Sequence, residues 1–329
     1  MSKLVSINIL TYNAQDLIEQ CLKSVLEQTY ENLEILVIDN ASTDNTLEKI
    51  RNSKFELRNI RIIKNKKNLG FSAGHNIGIR EGRGEYVLCL NQDVVLDKDF
   101  IKYAVKIMEQ DEKIGSVQGK LYKQDKILDA TGLIIFKNRR VINRGQGEED
   151  SSTAFGTSGE IFGVDGAAPL YRQKALEDIK INNEYFDEDF FMYKEDVDLA
   201  WRLRLYDWKA VYESRAIGYH LRGAGEKAVK NYLAIASARR KISEFAKFYS
   251  FKNQRLMQIK NELLPLFFRD FHRIIIKEIV AWLYVLFFER YTHRAIKELF
   301  KQAPIAWRKR RIIMKKKRVG AKEMARWFE

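Results

Sequence analysis

Cysteine is scarce in this sequence, and apolar runs long enough to cross a membrane are absent. Only Cys21 and Cys89 occur among the 329 residues, and both lie within apolar stretches. Such cysteines are expected to be buried, reduced thiols, which argues against a disulfide-stabilised secreted domain. The first residues also lack the long apolar core and cleavage site of a signal peptide, because residues 4–10 alternate like a strand. These absences predict a cytoplasmic protein.

The C-terminal third holds an uncharged segment of ten residues, IVAWLYVLFF at 279–288. A helix that spans a bilayer needs about 20 such residues, so this segment is too short to cross. Aromatic residues are dense around it, and basic runs follow at 308–311 and 315–318. We expect the segment to lie in a membrane interface. Packing inside the protein or a homo-oligomer is the main alternative, and nucleic-acid binding is the third.

The net positive charge of the chain comes from its last third. Residues 226–329 carry 26 Lys and Arg against 9 Asp and Glu, a net charge of +17, whereas the preceding residues carry a net −3. A basic region attached to a near-neutral domain indicates a polyanionic partner, either an anionic membrane surface or nucleic acid.

Strand and helix patterns alternate along the first half of the chain. We predict strands at 5–10, 34–39, 60–63, 86–90 and 114–118, and helices at 16–27, 46–51, 73–80, 98–109 and 195–205. This alternation predicts an α/β fold with an open, mostly parallel sheet covered by helices on both faces. Beyond His220 the pattern changes to long helices. We therefore predict a domain over residues 1–225 and a basic, aromatic-rich helical extension over residues 226–329.

Polar clusters follow three of the predicted strands, at 11–13, 39–42 and 91–93. Open α/β sheets bind ligands at the carboxyl ends of their strands. Asp39 has the position of strand-end acids that accept hydrogen bonds from a base or a ribose. Asp93 is placed to hold a hard divalent cation between two phosphates. His220 is a candidate second ligand, since imidazole suits Mn²⁺ better than Mg²⁺, with a structural role as the alternative.

Two further segments have the composition of a binding site. Residues 68–78 are rich in glycine and small residues at a predicted loop-to-helix junction, where a backbone can approach a phosphate. Residues 187–198 hold six acids among aromatic residues. A carboxylate such as Glu195 or Asp196 at a helix start can act as a general base. It can equally cap the helix and complement its dipole, and the residues alone leave both interpretations open.

Taken in order, these clusters identify a family resemblance. The motifs are ILTYN at 9–13, VIDNASTDNT at 37–46, NLGFSAGHNIG at 68–78, LNQD at 90–93, VDGAAPLYR at 164–172 and FDEDFFMYKEDVDLAWRLR at 186–204. The chain resembles the family 2 glycosyltransferases, especially their rhamnosyltransferase-like branch. Each motif is modest alone, but six in order over residues 4–225 are specific.

The resemblance implies a GT-A fold, which is Rossmann-like, and an inverting single-displacement transfer. It assigns Thr11, Asn13, Asp39, Asn68, Gly70, Asn91 and Asp93 to nucleotide-sugar binding. It places Asp93 and His220 at a divalent cation, Mg²⁺ or Mn²⁺. By the same analogy Asp196 is the base, and Asp165, Gly166 and Glu195 lie on the acceptor side.

The metal-binding motif departs from the family's pattern. The usual Asp-x-Asp reads Asn91-Gln92-Asp93, which removes one carboxylate. The Gln-x-x-Arg-Trp motif of processive polymerising synthases is absent at the expected distance after Asp196. We therefore expect one or a few sugars to be added to each acceptor.

The resemblance and the basic extension together give a specific functional prediction. The chain is expected to transfer a sugar, with dTDP-rhamnose as the first donor considered, to a saccharide acceptor that is plausibly linked to a polyprenyl diphosphate. It would do so as a peripheral enzyme on the cytoplasmic face of the cell membrane, in cell-surface polysaccharide synthesis, without nucleic acid. The alternative function is a nucleic-acid-binding or scaffolding protein that uses the basic region. A nucleotidyltransferase is disfavoured, because residues 9–16 lack a glycine-rich basic phosphate loop.

Overall fold

The computed structural model of the chain describes residues 2–52, 60–124, 126–150, 155–221, 239–240 and 242–329. The strands are β1 (Val5–Thr11), β2 (Leu33–Asp39), β3 (Ile60–Lys64), β4 (Tyr86–Asn91), β5 (Val94–Leu96), β6 (Ile114–Gln124), β7 (Ile127–Ala130), β8 (Leu133–Ile135), β9 (Val141–Asn143), β10 (Gly159–Ile161), β11 (Leu170–Arg172) and β12 (Lys209–His220). The helices are α1 (Ile18–Leu26), α2 (Thr46–Asn52), α3 (Gly70–Glu81), α4 (Phe100–Met108), α5 (Gln173–Ile179), α6 (Glu195–Leu205), α7 (Glu244–Asn261), α8 (Leu264–Arg269), α9 (Phe271–Phe288), α10 (His293–Lys316) and α11 (Ala321–Met324).

The described strands form one large sheet and one hairpin. The large sheet has the order β10-β12-β6-β11-β4-β1-β2-β3, with β5 added to β12 and β7 added to β6. Its long ladders, β4-β1-β2-β3 and β12-β6, are parallel. The short strands β5, β7, β10 and β11 pair antiparallel with their neighbours. The sequence did not predict these four strands, because three or four residues are too few to show an alternating pattern. The predicted α/β fold, with its mostly parallel core, is confirmed.

The side chains of the central strands point alternately into two hydrophobic layers, one on each face of the sheet. In β4, Leu88 and Leu90 face one layer with α1 and α4, whereas Val87 and Cys89 face the other with α3, α5 and α6. Successive side chains of a strand point to opposite faces, so a strand that is apolar throughout needs cover on both. Both cysteines are buried free thiols, as predicted.

Helix α3 packs unusually closely on the sheet because its glycines face β1. A Cβ atom at Gly74 would meet Leu10 Cδ1 at 2.3 Å, and one at Gly78 would meet Asn8 Oδ1 at 2.0 Å. Asn8 Nδ2 also donates to the carbonyl oxygen of His75 at 2.9 Å. These two glycines of the 68–78 motif therefore serve helix–sheet contact, not the approach of a ligand.

The C-terminal helices pack on the α/β domain. Helices α7 and α10 lie against each other, and α7 also contacts α6. The predicted boundary between residues 225 and 226 lies outside the described residues. Segment 279–288 forms the second half of α9, where Trp282 packs against Phe251 with ring centroids 5.3 Å apart. Among the described residues, no helix is long and apolar enough to cross a membrane.

A buried network of charges joins these helices to the acidic segment. Lys260, which is 1% exposed, forms ion pairs with Asp187 and with Asp198, the latter at 2.8 Å. Lys309 of α10 reaches Asp187 at 2.6 Å. Asn261 Nδ2 donates to Asp198 at 2.8 Å. Buried charges persist only when they are paired in this way, so the network fixes α7 on α6 and α10 on the acidic segment before α6.

We expect Lys260→Met to destabilise the protein strongly. The substitution removes one cation of a buried ion-pair network, a change that typically costs about 3–5 kcal/mol. Asp187 keeps Lys309 and Asp198 keeps Arg202 as partners, so we expect a loss near the lower end of that range. Urea denaturation followed by circular dichroism measures the loss. Lys301→Met is the matched control, because its side chain is 74% exposed and should change stability by less than about 0.5 kcal/mol. A loss below about 1 kcal/mol for Lys260→Met would contradict the role of the network.

Candidate active site

A cleft of about 450 Å³ opens at the carboxyl ends of β1 and β4. The register pairs Leu10 with Asn91, so the polar residues that follow both strands meet at one edge. Ten of the twelve predicted site residues line this cleft: Thr11, Asn68, Gly70, Asn91, Asp93, Asp165, Gly166, Glu195, Asp196 and His220. Segments far apart in sequence are thus brought together.

Asn13 and Asp39 do not line the cleft, although both were predicted to contact the nucleotide. Asp39 is 2% exposed and its Oδ1 accepts a hydrogen bond from the Ser42 backbone N–H at 3.2 Å. Asn13 Oδ1 accepts from the Thr43 backbone N–H at 2.9 Å. Both side chains therefore shape the loop that follows β2, and their contact with a nucleotide stays a prediction.

Asp93 and His220 are neighbours because β12 pairs with β5. The antiparallel register places His220 opposite Val94, and His220 Nε2 lies 3.2 Å from Asp93 Oδ1. The other ring nitrogen, Nδ1, lies 2.8 Å from Asp129 Oδ2. Burial opposes protonation of His220, but hydrogen bonds and negative charge from Asp129 and Asp93 outweigh it and raise its pKa to about 10.

The donor set fits a divalent cation held partly by a ligand. Asp93 offers a carboxylate oxygen, and His220 offers an imidazole nitrogen once an incoming cation displaces the proton on Nε2. Asp129 would orient the ring from behind, as carboxylates do at metal-binding histidines. Among the described residues, no group of three or more His, Cys, Asp or Glu side chains could hold a metal on its own. An ion here would need further oxygens, such as those of a diphosphate.

Gln92 joins the two strand ends that frame the cleft. Its Oε1 accepts hydrogen bonds from Thr11 Oγ1 at 2.9 Å and from the Tyr12 backbone N–H at 2.7 Å. The unusual middle residue of the Asn91-Gln92-Asp93 motif thus has a structural partner at the end of β1.

The turn before α6 has a strained backbone. Phe191, Tyr193 and Lys194 all have positive φ angles, between 61° and 71°, which non-glycine residues rarely adopt. Phe191 O accepts hydrogen bonds from the N–H groups of Phe71 and Ser72 at the start of α3. A side chain at Gly70 would collide with Phe191, since its Cβ would lie 2.5 Å from the Phe191 carbonyl oxygen. Gly70 therefore permits the turn as well as lining the cleft.

Asn253 of α7 holds the same turn from the other side. Its Nδ2 donates to the carbonyl oxygens of Phe190, Met192 and Tyr193 at 2.9, 2.9 and 2.7 Å. Strained conformations persist only where surrounding contacts fix them, and they cluster at functional sites. The C-terminal helices thus determine where the first residues of α6 lie.

Three carboxyl groups at the cleft have perturbed pKa values. Burial and the charge of Asp196 raise the pKa of Glu195 well above its usual range. Burial raises the pKa of Asp196 as well, although Lys194 and the N–H groups of Val197 and Gly166 oppose the rise. Burial and the charge of Asp129 raise the pKa of Asp165 to about 7. Such groups are frequent among catalytic acids and bases.

Sequence reasoning missed Asp129, Gln92 and Tyr12, which also line the cleft. Asp129 is 3% exposed in the short strand β7, and an acid among apolar residues was the signal that could have identified it. Tyr12 is 42% exposed and lies within the first motif. The cleft therefore combines an Asp–His pair whose chemistry suits a divalent cation, two adjacent carboxyl groups with raised pKa values and an exposed aromatic ring.

Comparisons with known proteins identify the family of the chain. A family model described as Glycosyl transferase family 2 matches residues 6–180. The poly-beta-1,6-N-acetyl-D-glucosamine synthase of Staphylococcus epidermidis is 30% identical over 224 residues, which are 66% of this chain and 50% of that protein. The chain spans about half the length of the curated relatives it matches.

Solved structures share the fold at low sequence identity. S. aureus TarS in complex with UDP-GlcNAc superposes with a TM-score of 0.54 at 16% identity, covering 91% of this chain and 81% of that one. The mannosyltransferase PcManGT from Pyrobaculum calidifontis, in complex with GDP-Man and Mn²⁺, gives 0.50 at 16% identity, covering 93% and 87%. Since the family model covers more than half of the chain and the sheet carries the GT-A arrangement, this protein belongs to glycosyl transferase family 2.

Proposed function

We propose that the protein transfers a sugar, with inversion, from a nucleotide diphosphate to an acceptor hydroxyl. The observation that carries the proposal is that Asp196 and the Asp93–His220 pair line a single cleft at the carboxyl ends of β1 and β4. A transfer by single displacement needs one base for the acceptor and positive charge at the leaving diphosphate. The cleft has candidates for both.

The donor is proposed to be UDP-N-acetylglucosamine or dTDP-rhamnose. The family relatives favour the first, because the S. epidermidis protein is named a poly-N-acetylglucosamine synthase and TarS was solved with UDP-GlcNAc. The rhamnosyltransferase-like motifs favour the second. In either case Thr11, Asn68 and Gly70 would lie against the nucleotide, and Tyr12 offers an aromatic face to its base.

Asp196 is proposed to accept the proton of the acceptor hydroxyl as its oxygen attacks C1 of the sugar. Glu195 is the more enclosed of the two acids, with a buried Oε2 that has no hydrogen-bond partner in the described residues. The pair would therefore hold one proton on Glu195 and leave Asp196 ionised towards the cleft. Asp165 and Gly166 would border the acceptor; a Cβ atom at Gly166 would lie 3.9 Å from Asp196 Oδ2.

Asp93 and His220 would hold a divalent cation, Mn²⁺ or Mg²⁺, which when bound supplies Lewis-acid stabilisation of the leaving diphosphate. Asp129 would keep the His220 ring oriented with Nε2 towards Asp93. Asn91 would lie beside the diphosphate.

The acceptor is proposed to be a lipid-linked saccharide at the cytoplasmic face of a membrane. Helix α9 exposes a row of large apolar side chains: Ile276, Ile279, Val280, Leu283, Leu286, Phe287 and Phe288. Anionic lipid complements both this apolar face and the basic residues nearby, whereas nucleic acid would bury only the charge. Addition of one or a few sugars to each acceptor remains part of the proposal.

Asp196→Asn should abolish transfer and preserve donor binding. Loss of a general base lowers kcat by about 10²–10⁴-fold, while the nucleotide contacts are untouched. Transfer is measured with radiolabelled UDP-N-acetylglucosamine and dTDP-rhamnose on membrane extracts, and donor binding by calorimetry. Asp207→Asn, an exposed acid just beyond the other end of α6, is the control and should retain full activity. Loss of donor binding in Asp196→Asn would assign that residue to the nucleotide instead.

The pH profile should reflect the environment of Asp196. Because its pKa is raised and the base must be ionised, activity should fall on acidification at a pH above the ordinary carboxyl value of about 3.9. The profile of kcat/KM reports this group in the free enzyme. If the acidic limb of the kcat/KM profile gives a pKa at or below about 3.9, Asp196 is not the base.

Divalent cation and nucleotide should stabilise the protein together. A thermal-shift panel of nucleotide sugars, each with and without Mn²⁺, should show its largest rise for the true donor with Mn²⁺. His220→Gln should remove the Mn²⁺-dependent increment, and Asp129→Asn should weaken Mn²⁺ binding by about 10–100-fold. His272→Gln, an exposed histidine on α9, is the control. An unchanged increment in His220→Gln would exclude that residue as a ligand.

A further inference from the structure

Helix α7 carries two polar side chains that are fully buried against the turn before α6. Lys252 is 1% exposed and Asn253 is 0% exposed. Neither was predicted as a site residue, and neither lines the cleft at the ends of β1 and β4. Polar groups are buried in this way when they have hydrogen-bond partners, so the partners of these two residues indicate their role.

Those partners are backbone carbonyl groups of the turn and of the residues just before it. Lys252 Nζ donates to the carbonyl oxygen of Asp189 at 2.6 Å. Asn253 Nδ2 donates to three further carbonyl oxygens, those of Phe190, Met192 and Tyr193. The remaining carbonyl, that of Phe191, accepts from N–H groups of α3. Every carbonyl from residue 189 to residue 193 therefore accepts a hydrogen bond from α3 or α7.

This arrangement explains how the strained backbone of the turn persists. The Phe191 carbonyl points to α3, whereas the carbonyls on either side of it point to α7. A segment that changes direction at each positive φ has no regular ladder to pair its carbonyls. Buried carbonyls left without donors are costly, so donors supplied by other elements favour this conformation over unstrained ones.

Asn253 is the donor that contacts most of the turn. Its single amide group reaches carbonyls on both sides of Phe191. Its Oδ1 is buried and has no hydrogen-bond partner in the described part of the chain, so the Nδ2 contacts alone orient the side chain. A side chain that only accepts hydrogen bonds could not replace it, because three carbonyl oxygens converge on this position.

The turn leads directly into the acids of the cleft. Glu195 and Asp196 are the first two residues of α6, and both line the cleft. The N-cap of α6 is Lys194, which has a φ of 71° and makes no capping hydrogen bond through its side chain. The backbone of the turn therefore sets where α6 begins. Catalytic groups must be held within about 0.5 Å of their productive geometry, so a displaced turn would misplace Asp196.

We propose that Asn253 is a positioning residue for sugar transfer: its amide holds the turn in the conformation that places Asp196 at the acceptor hydroxyl. The inference rests on the proposed function and adds to it a requirement from outside residues 1–225. On this basis α7, in the C-terminal extension, takes part in catalysis through the turn, without touching either substrate.

The test compares Asn253→Asp with Gln254→Glu in the full-length protein. Asn253→Asp replaces the amide with a carboxylate of the same size, which the three carbonyl oxygens repel. We expect kcat for transfer to fall about 10–100-fold, with the KM for the donor changed by less than about twofold. Hydrogen–deuterium exchange of the peptide covering residues 190–196 should become faster. Gln254→Glu is the matched control, because Gln254 Nε2 donates to the carbonyl of Arg139 and not to the turn; its kcat and its exchange in this peptide should equal those of wild type.

A purely structural role for Asn253 would lower the stability of the protein and leave kcat of the folded enzyme unchanged, and that result would overturn the inference. Unchanged exchange in residues 190–196, or an equal loss of kcat in Gln254→Glu, would overturn it too. If Asn253→Asp does not fold, Asn253→Ser replaces it, because a serine hydroxyl is too short to reach three carbonyls. Absence of transfer by the wild-type protein with every donor would remove the proposed function, whereas the exchange comparison would still decide whether Asn253 holds the turn.

Discussion

The strained turn at residues 191–194 is the constraint on which the arrangement of the site depends. Three of the four residues in this turn have positive φ, a backbone conformation that is unfavourable by about 1–3 kcal/mol per residue, and α6 begins directly after them. Hydrogen bonds from α3 and from Asn253 of α7 hold it there. The α/β domain and the C-terminal helices therefore share the task of positioning Glu195 and Asp196.

The acids around the start of α6 form buried ion pairs with lysines of the basic extension. Asp187 and Asp198 belong to the acidic run before and within α6, and their cations, Lys260 and Lys309, come from α7 and α10. Part of the +17 charge of residues 226–329 is thus used inside the protein. Residues of the extension therefore contact α6 and the acidic segment before it, while α9 presents apolar side chains outward. The division into two domains and the membrane association of the extension stay predictions.

The sequence by itself determined the fold class, the main strands and helices of the first 118 residues together with α6, and most of the cleft. It did not predict the 12-residue strand β12, which carries His220. Apolar runs of fixed period and polar residues at strand ends are local signals, so Asp93 and Asp196 could be identified from their neighbours. Only the tertiary structure decided that Asp129 faces His220, that Gly74 and Gly78 pack on β1, and that Asn253 holds the turn before α6. These are contacts between residues far apart in the chain, and no periodicity or spacing encodes them because each depends on the register of the sheet and the packing of the helices on it.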